Sequence, residues 1–258
     1  MKRITLLLVA TFAMIVAGSA PAHADIFFAA RTGGVGAATV VTCAGGVPNT
    51  CLVGALALTG YTITATTVGA VQTPGFANTS ETQLLITKVA PATNPLEIWF
   101  GSTDYSLPAG PLLVQASLSG SFIGGGFDRA GSTSSLLGFA NAANLDATAT
   151  GMDGIFTAGG SVTTAPTIAI TTNDVAFNDS QAASSGLVSF LRGLGDYSLG
   201  GHVVVSLANI GNAENLTATV SVGPNSVPEP ASVMLLGGVL LGLTGLFRRR
   251  LAANQRPN

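Results

Sequence analysis

The chain has 258 residues, of which only 9% are charged, and a formal net charge of −2. Six of its ten Lys and Arg residues lie in the two termini, so the body from 25 to 226 keeps four basic residues against eleven acidic ones, a formal charge of −7. Because binding to phosphates requires clustered basic residues, this body excludes nucleic acid as a partner.

The first 24 residues have the three parts of a secretory signal peptide. Met1-Lys2-Arg3 is basic, Ile4 to Val16 is apolar, and Ala22-His23-Ala24 is an A-x-A cleavage site. We therefore expect residues 1–24 to be removed, with Ala22 and Ala24 as the cleavage residues. The mature chain is then predicted to begin at Asp25 and to be exported to the periplasm.

The two cysteines, Cys43 and Cys51, flank a segment whose glycines and Pro48-Asn49 indicate a turn. In an oxidising periplasm this spacing predicts a local disulfide. Closing so short a loop would stabilise the fold by roughly 2.5 kcal/mol. The sequence lacks the further ligands of a zinc site and the C-x-x-C-H motif of haem attachment, so we expect no metal and no cofactor.

Several stretches of the body alternate apolar and small polar residues with a period of two, which indicates half-buried strands. Glycine, Asn-Asp and proline clusters separate them, and helix-favouring Lys and Glu are scarce. We expect residues 25–226 to form one all-β domain, an antiparallel β-sandwich with a jelly-roll-like topology. The segment Ser184–Leu194 fits either a short helix or a strand with a turn. The predicted strands are Tyr61–Val68, Gln83–Val89, Leu96–Phe100, Leu112–Ile123, Thr167–Phe177, His202–Leu207 and Leu216–Val222.

The body has few residues suited to catalysis. His202 is its only histidine, and the sequence contains no G-x-S-x-G elbow, no HExxH and no phosphate-binding loop. We expect His202 to be structural and the protein not to be an enzyme, with no catalytic residue.

Two binding functions remain as alternatives. Trp99 is the only tryptophan and would suit a sugar-stacking platform, although its alternation with Ile98 and Phe100 makes a core position the better interpretation. Asp146 with Asp153, and the Asn-Asp pairs at 173–174 and 178–179, would suit calcium. Their spacing is not that of a calcium-binding loop, and such residues also form ordinary turns.

The tail, residues 227–258, carries three features in order: Val227-Pro228-Glu229-Pro230, an apolar run over 231–247, and the cluster Arg248, Arg249 and Arg250. A helix of this run rises about 26 Å, close to the roughly 30 Å of a hydrocarbon core. We therefore predict a single C-terminal transmembrane helix with the three arginines on its cytoplasmic side. The prolines keep the preceding segment extended and accessible to a processing enzyme.

This order of features resembles the PEP-CTERM sorting signal of exported Gram-negative proteins. The resemblance covers about the last tenth of the chain, and it implies that Val227, Pro228, Glu229 and Pro230 are recognised by the membrane enzyme exosortase. It further implies an inner-membrane-anchored precursor with a periplasmic body, which exosortase cuts near the motif and delivers to the cell surface or the outside. It also implies a surface or biofilm-matrix component with exopolysaccharide as a partner.

Overall fold

A computed structural model of the chain describes residues 25–32, 39–43, 50–64, 66–124, 129–145, 162–172 and 179–225, with backbone alone at 40, 42 and 43. By its contacts the chain divides into two compact units, Met1–Pro224 and Asn225–Asn258, and the fold below belongs to the first. The predicted signal peptide and the predicted helix at 231–247 lie outside the described residues. Within the described ranges, no helix is long and apolar enough to cross a membrane.

The described residues form strands and connecting segments, and all the paired strands are antiparallel. This confirms the all-β prediction. In chain order the strands are β1 (Ile26–Thr32), β2 (Thr39–Cys43), β3 (Thr50–Val53), β4 (Leu56–Leu58), β5 (Tyr61–Ile63), β6 (Thr66–Thr73), β7 (Phe76–Lys88), β8 (Leu96–Tyr105), β9 (Leu112–Gly124), β10 (Thr133–Asn141), β11 (Val162–Thr164), β12 (Ile168–Thr171), β13 (Asp179–Ser184), β14 (Val188–Phe190), β15 (Tyr197–Ser206) and β16 (Asn212–Pro224).

The strands belong to two sheets. The smaller sheet has the order β11-β10-β15-β8-β1-β2, and β12 also pairs with β10. The larger sheet has the order β13-β9-β16-β7-β5-β4, with β14 on β9, β6 on β7 and β3 on β6. Each sheet therefore has one long central strand from the C-terminal part of the body, β15 in the smaller sheet and β16 in the larger.

Four sets of pairings are nested along the chain. Strands β11 and β12 pair with β10, β13 and β14 with β9, β15 with β8, and β16 with β7. The chain from β7 to β16 is thus one long antiparallel hairpin. Its strands β7, β8, β9 and β10 alternate between the two sheets, whereas β10 to β12 stay in the smaller sheet and β13 and β14 in the larger. The jelly-roll-like topology expected from the sequence has nested pairings of this kind. Strands β1 and β2 extend the smaller sheet beyond β8, and β3 to β6 extend the larger one beyond β7.

The main core lies between the sheets because their long strands alternate in burial. Every second residue of β9 from Leu112 to Phe122, and of β16 from Asn212 to Val222, is buried. The same apolar cluster includes Phe100 and Leu136 from the smaller sheet, so it joins the two layers. Each fully buried aliphatic or aromatic side chain in it contributes about 1.5–3 kcal/mol.

Strand β8 is buried on both faces. Ile98 and Phe100 belong to the main core, whereas Trp99 joins Phe27, Ala29 and Phe139 in a second cluster on the opposite face of the smaller sheet. The prediction of a buried Trp99 is therefore confirmed, with 1% exposed, but Trp99 does not share the core of its neighbours. The alternation of Trp99 with Ile98 and Phe100 does not extend to burial, because all three side chains are buried.

The second cluster depends on two glycines. A Cβ at Gly101 would overlap the Phe27 ring, and a Cβ at Gly200 would overlap the Phe139 ring. Gly101 and Gly200 are cross-strand partners, and Phe27 and Phe139 pair with them from the outer sides. The two phenyl rings therefore lie flat over backbone that carries no side chain.

Two predicted strands have other bounds in the structure, and the segment left open between helix and strand contains a strand. Tyr61–Val68 is not one strand, because β5 ends at Ile63 and β6 begins at Thr66. Of Thr167–Phe177, β12 covers only Ile168–Thr171, and residues 173–178 lie outside the described residues. In Ser184–Leu194 the strand alternative is the one found, since β14 pairs with β9.

Candidate functional site

His202 packs in a row of side chains on the outer face of the smaller sheet. Its ring stacks on that of Trp99, its cross-strand neighbour, with centroids 4.4 Å apart and planes 9° apart. The Arg31 guanidinium lies 4.8 Å from the Trp99 ring centroid, and Arg31 Nε donates a hydrogen bond of 2.6 Å to Glu97 Oε2. Since Trp99 is almost fully buried, it is not a platform for sugar stacking, and the glycan alternative at Trp99 is corrected on this point.

Two glutamates are buried in the core of the sandwich. Glu81 on β7 and Glu214 on β16 are both 0% exposed. The Thr66 hydroxyl donates to Glu81 Oε1 over 2.7 Å, and the Ser134 hydroxyl donates to Glu214 Oε2 across the two sheets. The other oxygen of each carboxyl has no hydrogen-bond partner in the part of the chain that the structure describes.

Burial shifts the titration of both glutamates. It raises the pKa of Glu81 to about 8; the Thr66 hydrogen bond opposes the rise and the Glu214 carboxyl adds to it. Burial likewise raises the pKa of Glu214 to about 7, and the Ser134 hydrogen bond opposes the rise. A carboxyl kept out of water is more stable when neutral, so these side chains hold protons at pH values where an exposed glutamate is ionised.

Backbone irregularities make room for these carboxyls. Gln83 has a φ of 60°, and the pairing of β7 with β16 shifts between Leu216 and Ala218. This bulge places Glu81 on the buried face together with Leu84. On β9, a Cβ at Gly120 would lie 2.5 Å from Glu214 Oε1, so only glycine leaves space for that oxygen.

The outer face of the larger sheet is uncharged and rich in hydroxyl and amide groups, with Leu52, Val71, Phe76 and Ile123 exposed among them. Residues that pair between neighbouring strands form rows of side chains across this face. One such row crosses β13, β9, β16, β7, β6 and β3. No outward-facing side chain of these described strands carries a charge. We call this surface the hydroxyl face. Its hydroxyl and amide residues are Thr50, Thr67, Thr73, Asn78, Ser80, Thr82, Gln83, Thr87, Gln115, Ser117, Ser119, Ser121, Ser180, Ser184, Asn215, Thr217, Thr219 and Ser221.

Two shallow clefts of about 410 and 300 Å³ adjoin on the hydroxyl face. They share Ser119, Ala182 and Thr217, so together they form one groove along β9 and its neighbours. At one end the Ser121 and Ser180 hydroxyls lie 2.8 Å apart in a hydrogen bond. The groove offers donors and acceptors to a ligand but no ionic partner.

The cysteines lie on neighbouring parts of the larger and smaller sheets. Cys51 on β3 is buried, Cys43 is the last residue of β2, and β2 and β3 approach each other. The Cys43–Cys51 disulfide remains a prediction, because the structure describes only the backbone at Cys43.

The calcium alternative falls largely on residues outside the description, namely Asp146, Asp153 and the Asn-Asp pairs apart from Asp179. In the described ranges no group of three or more His, Cys, Asp or Glu side chains is arranged to hold a metal ion.

The predicted processing residues also lie outside the described residues. They are Ala22 and Ala24, Val227 to Pro230, and Arg248, Arg249 and Arg250. Strand β16 ends at Pro224, so only two residues separate it from Val227, the first residue of the predicted sorting motif.

The comparisons with known proteins concern this tail. Residues 226–250 match the PEP-CTERM protein-sorting motif, which confirms the resemblance seen in the sequence. A comparison with curated proteins gave no significant match. The motif implies that exosortase sorts and processes the chain, that the precursor associates with a membrane, and that the protein is exported.

Proposed function

We propose that this exosortase-sorted protein is a non-enzymatic component of the cell surface or of the extracellular, biofilm-associated matrix. The observation that carries the proposal is the sorting motif at residues 226–250, which directly follows the last described strand. The environment of the body's candidate catalytic groups supports it. His202 is stacked on Trp99, and Glu81 and Glu214 are enclosed in the core, where a substrate has no access.

The proposed life cycle follows from the chain's two ends. Residues 1–24 direct export and are cut after Ala24, and the body folds in the periplasm, where Cys43 and Cys51 form a disulfide. The helix at 231–247 holds the precursor in the inner membrane with Arg248 to Arg250 in the cytoplasm. Exosortase then cuts near Glu229, and the body is delivered outside the cell.

Mass spectrometry tests this sorting step. In the wild-type host, intact masses from the envelope and the medium should correspond to chains that begin at Asp25 and end within 227–230. Glu229→Ala should remain uncut in the membrane fraction, as should the wild-type chain in a host that lacks exosortase. Asn254→Ala, which lies in the tail beyond the match, is the matched control and should be processed normally. A wild-type chain that keeps Arg248 to Arg250 in every fraction would mean an ordinary membrane anchor.

The proposed matrix role predicts association with exopolysaccharide after release. Protein in the medium should sediment with the polysaccharide, and enzymatic digestion of that polysaccharide should release it to the supernatant. A protein that stays in the supernatant with the polysaccharide intact would contradict the matrix role, whatever the outcome of the sorting test.

A second candidate function is the binding of uncharged glycan on the hydroxyl face. The groove on this face favours it, because hydroxyl and amide groups pair with the hydroxyls of a neutral sugar and the surface has no charge to desolvate. Without aromatic stacking the affinity per site would be weak, so binding would depend on repeated contacts along a polymer.

A charge placed in the groove tests this second candidate. Ser119→Asp should reduce retention on an immobilised neutral polysaccharide at least tenfold, because it leaves a carboxylate without a partner in the contact. Thr164→Asp, an exposed position on the smaller sheet, should retain wild-type binding. Equal retention of both variants, or no retention of the wild type, would remove the glycan-binding candidate.

A further inference from the structure

An open cleft of about 540 Å³ lies between the loop after β7 and the loop after β15. Pro91, Ala92 and Thr93 line one side, Ala208 and Ile210 the other, and Lys88 also lines it. The volume is in the range of small-molecule sites, which combine apolar walls with a few polar groups. The two loops are linked by the Gly211 N–H, which donates to the Lys88 carbonyl over 2.8 Å.

Lys88 is the charged group of this cleft. It is 8% exposed, and its ammonium donates to the Leu207 carbonyl over 2.7 Å and to the Ala208 carbonyl over 3.4 Å. An ammonium has three N–H donors, so these bonds leave one. Over the described ranges the salt bridge found is that of Arg31 with Glu97, and Lys88 has no carboxylate partner.

A buried cation without a counter-ion is costly. Burying an ammonium removes its hydration, and neutral carbonyls return only part of that free energy. Lys88 lines the cleft, where an incoming anion would supply the missing counter-ion. An uncharged, apolar ligand would not offset the free energy lost when the Lys88 ammonium is removed from water.

We propose that the cleft binds an organic carboxylate, with the acid group on Lys88 and the non-polar part of the ligand against Pro91, Ala92 and Ile210. Ile210, at 46% exposure, extends the apolar surface of this lining towards solvent. These apolar walls favour the C-terminal carboxylate of a peptide whose last residue is non-polar over a uronic acid unit, whose ring carries hydroxyl groups. The site is distinct from the hydroxyl face and does not depend on the proposed matrix role.

The test is calorimetric titration of the full-length chain in an uncharged polyoxyethylene detergent. The probes are sodium glucuronate and sodium acetyl-leucinate, each compared with a neutral counterpart, glucose and acetyl-leucine amide. Acetyl-leucinate should bind at least tenfold more tightly than acetyl-leucine amide, and tighter binding of glucuronate than of acetyl-leucinate would overturn the assignment to a peptide carboxylate. Equal binding of the charged and neutral forms, or binding of neither carboxylate, would overturn the proposal.

Two variants locate the site. Lys88→Met should weaken binding at least tenfold. Since the Lys88 ammonium also donates a hydrogen bond to the Leu207 carbonyl in the neighbouring loop, a second variant is needed that keeps this hydrogen bond. Thr93→Trp adds bulk at an exposed wall residue and should weaken binding similarly, whereas Thr167→Trp, an exposed position elsewhere, should bind as the wild type does. Unchanged carboxylate binding in Thr93→Trp would place the ligand outside this cleft and refute the assignment.

Discussion

The two buried glutamates predict that the body is most stable in mild acid. In the unfolded chain both carboxyls have a pKa near the ordinary 4.5, whereas in the fold the pKa of Glu81 is about 8 and that of Glu214 about 7. Between these limits the folded state binds more protons than the unfolded state. The free energy of unfolding is therefore highest below about pH 4.5 and falls as the pH rises through 7 and 8.

The size of this effect follows from the same values. One pKa unit corresponds to about 1.4 kcal/mol, so Glu214 accounts for on the order of 3 kcal/mol and Glu81 for on the order of 5 kcal/mol. Together these amounts are comparable with the whole stability of a typical domain, about 5–15 kcal/mol. Even half of this loss would be readily measured.

Urea unfolding at several pH values between 4.5 and 8.5 measures this dependence. The fluorescence of Trp99, the sole tryptophan, reports on the body alone because that side chain is buried in it. Glu81→Gln and Glu214→Gln keep the acceptor oxygens for Thr66 and Ser134 but do not ionise, so each should flatten the profile and be more stable than the wild type at pH 8.

The control for this series is Asp196→Asn, which removes an exposed carboxyl and should leave the slope unchanged. A wild-type stability that is constant or rising from pH 4.5 to 8 would refute the reasoning. So would glutamine variants that keep the wild-type slope.

Further predictions concern the second cluster and the cysteines. Gly200→Ala should destabilise the fold by about 1–3 kcal/mol, because its methyl group would displace the Phe139 ring, while Gly186→Ala, with no atom within 4 Å of the added carbon, should change the urea midpoint little. Similar midpoints for the two variants would show that the ring is not confined by the glycine. Intact mass under non-reducing conditions should be two hydrogens below the reduced value, and Cys51→Ser should lower the unfolding free energy by roughly 2.5 kcal/mol. A full complement of free thiols after export would contradict the disulfide.

The strands that were predicted best are those with one face in the core. Leu112–Ile123 and Leu216–Val222 alternate strictly, and β9 and β16 contain them with small extensions. Strand β1, in contrast, was not predicted. Its sequence IFFAA is buried at each position, so period-two alternation is lost wherever both faces of a sheet are covered.

The buried glutamates were missed for a definable reason. Alternation counted back from Leu84 and Ile86 places Glu81 on the solvent face, but the bulge at Gln83 reverses the direction of the residues before it. Glu214 lies ahead of the predicted start of its strand at Leu216. The observed strand begins at Asn212, which brings Glu214 into the alternating, buried set.

In the tail, the order of motif, apolar run and arginines was sufficient to predict the sorting signal, because that signal is read from sequence rather than from tertiary structure.

The nested hairpin has a consequence for the timing of folding. Strand β16 lies between β7 and β9 at the centre of the larger sheet, yet it is the last of the described strands and ends at Pro224. Ala77 pairs with Val222, so the sheet closes only when residues far apart in the sequence are both available to pair. The body can therefore complete its larger sheet only after the chain up to Pro224 is available, immediately before the sorting tail. A protease that cut before Pro224 would remove part of this central strand, whereas a cut at the motif leaves every described strand in place.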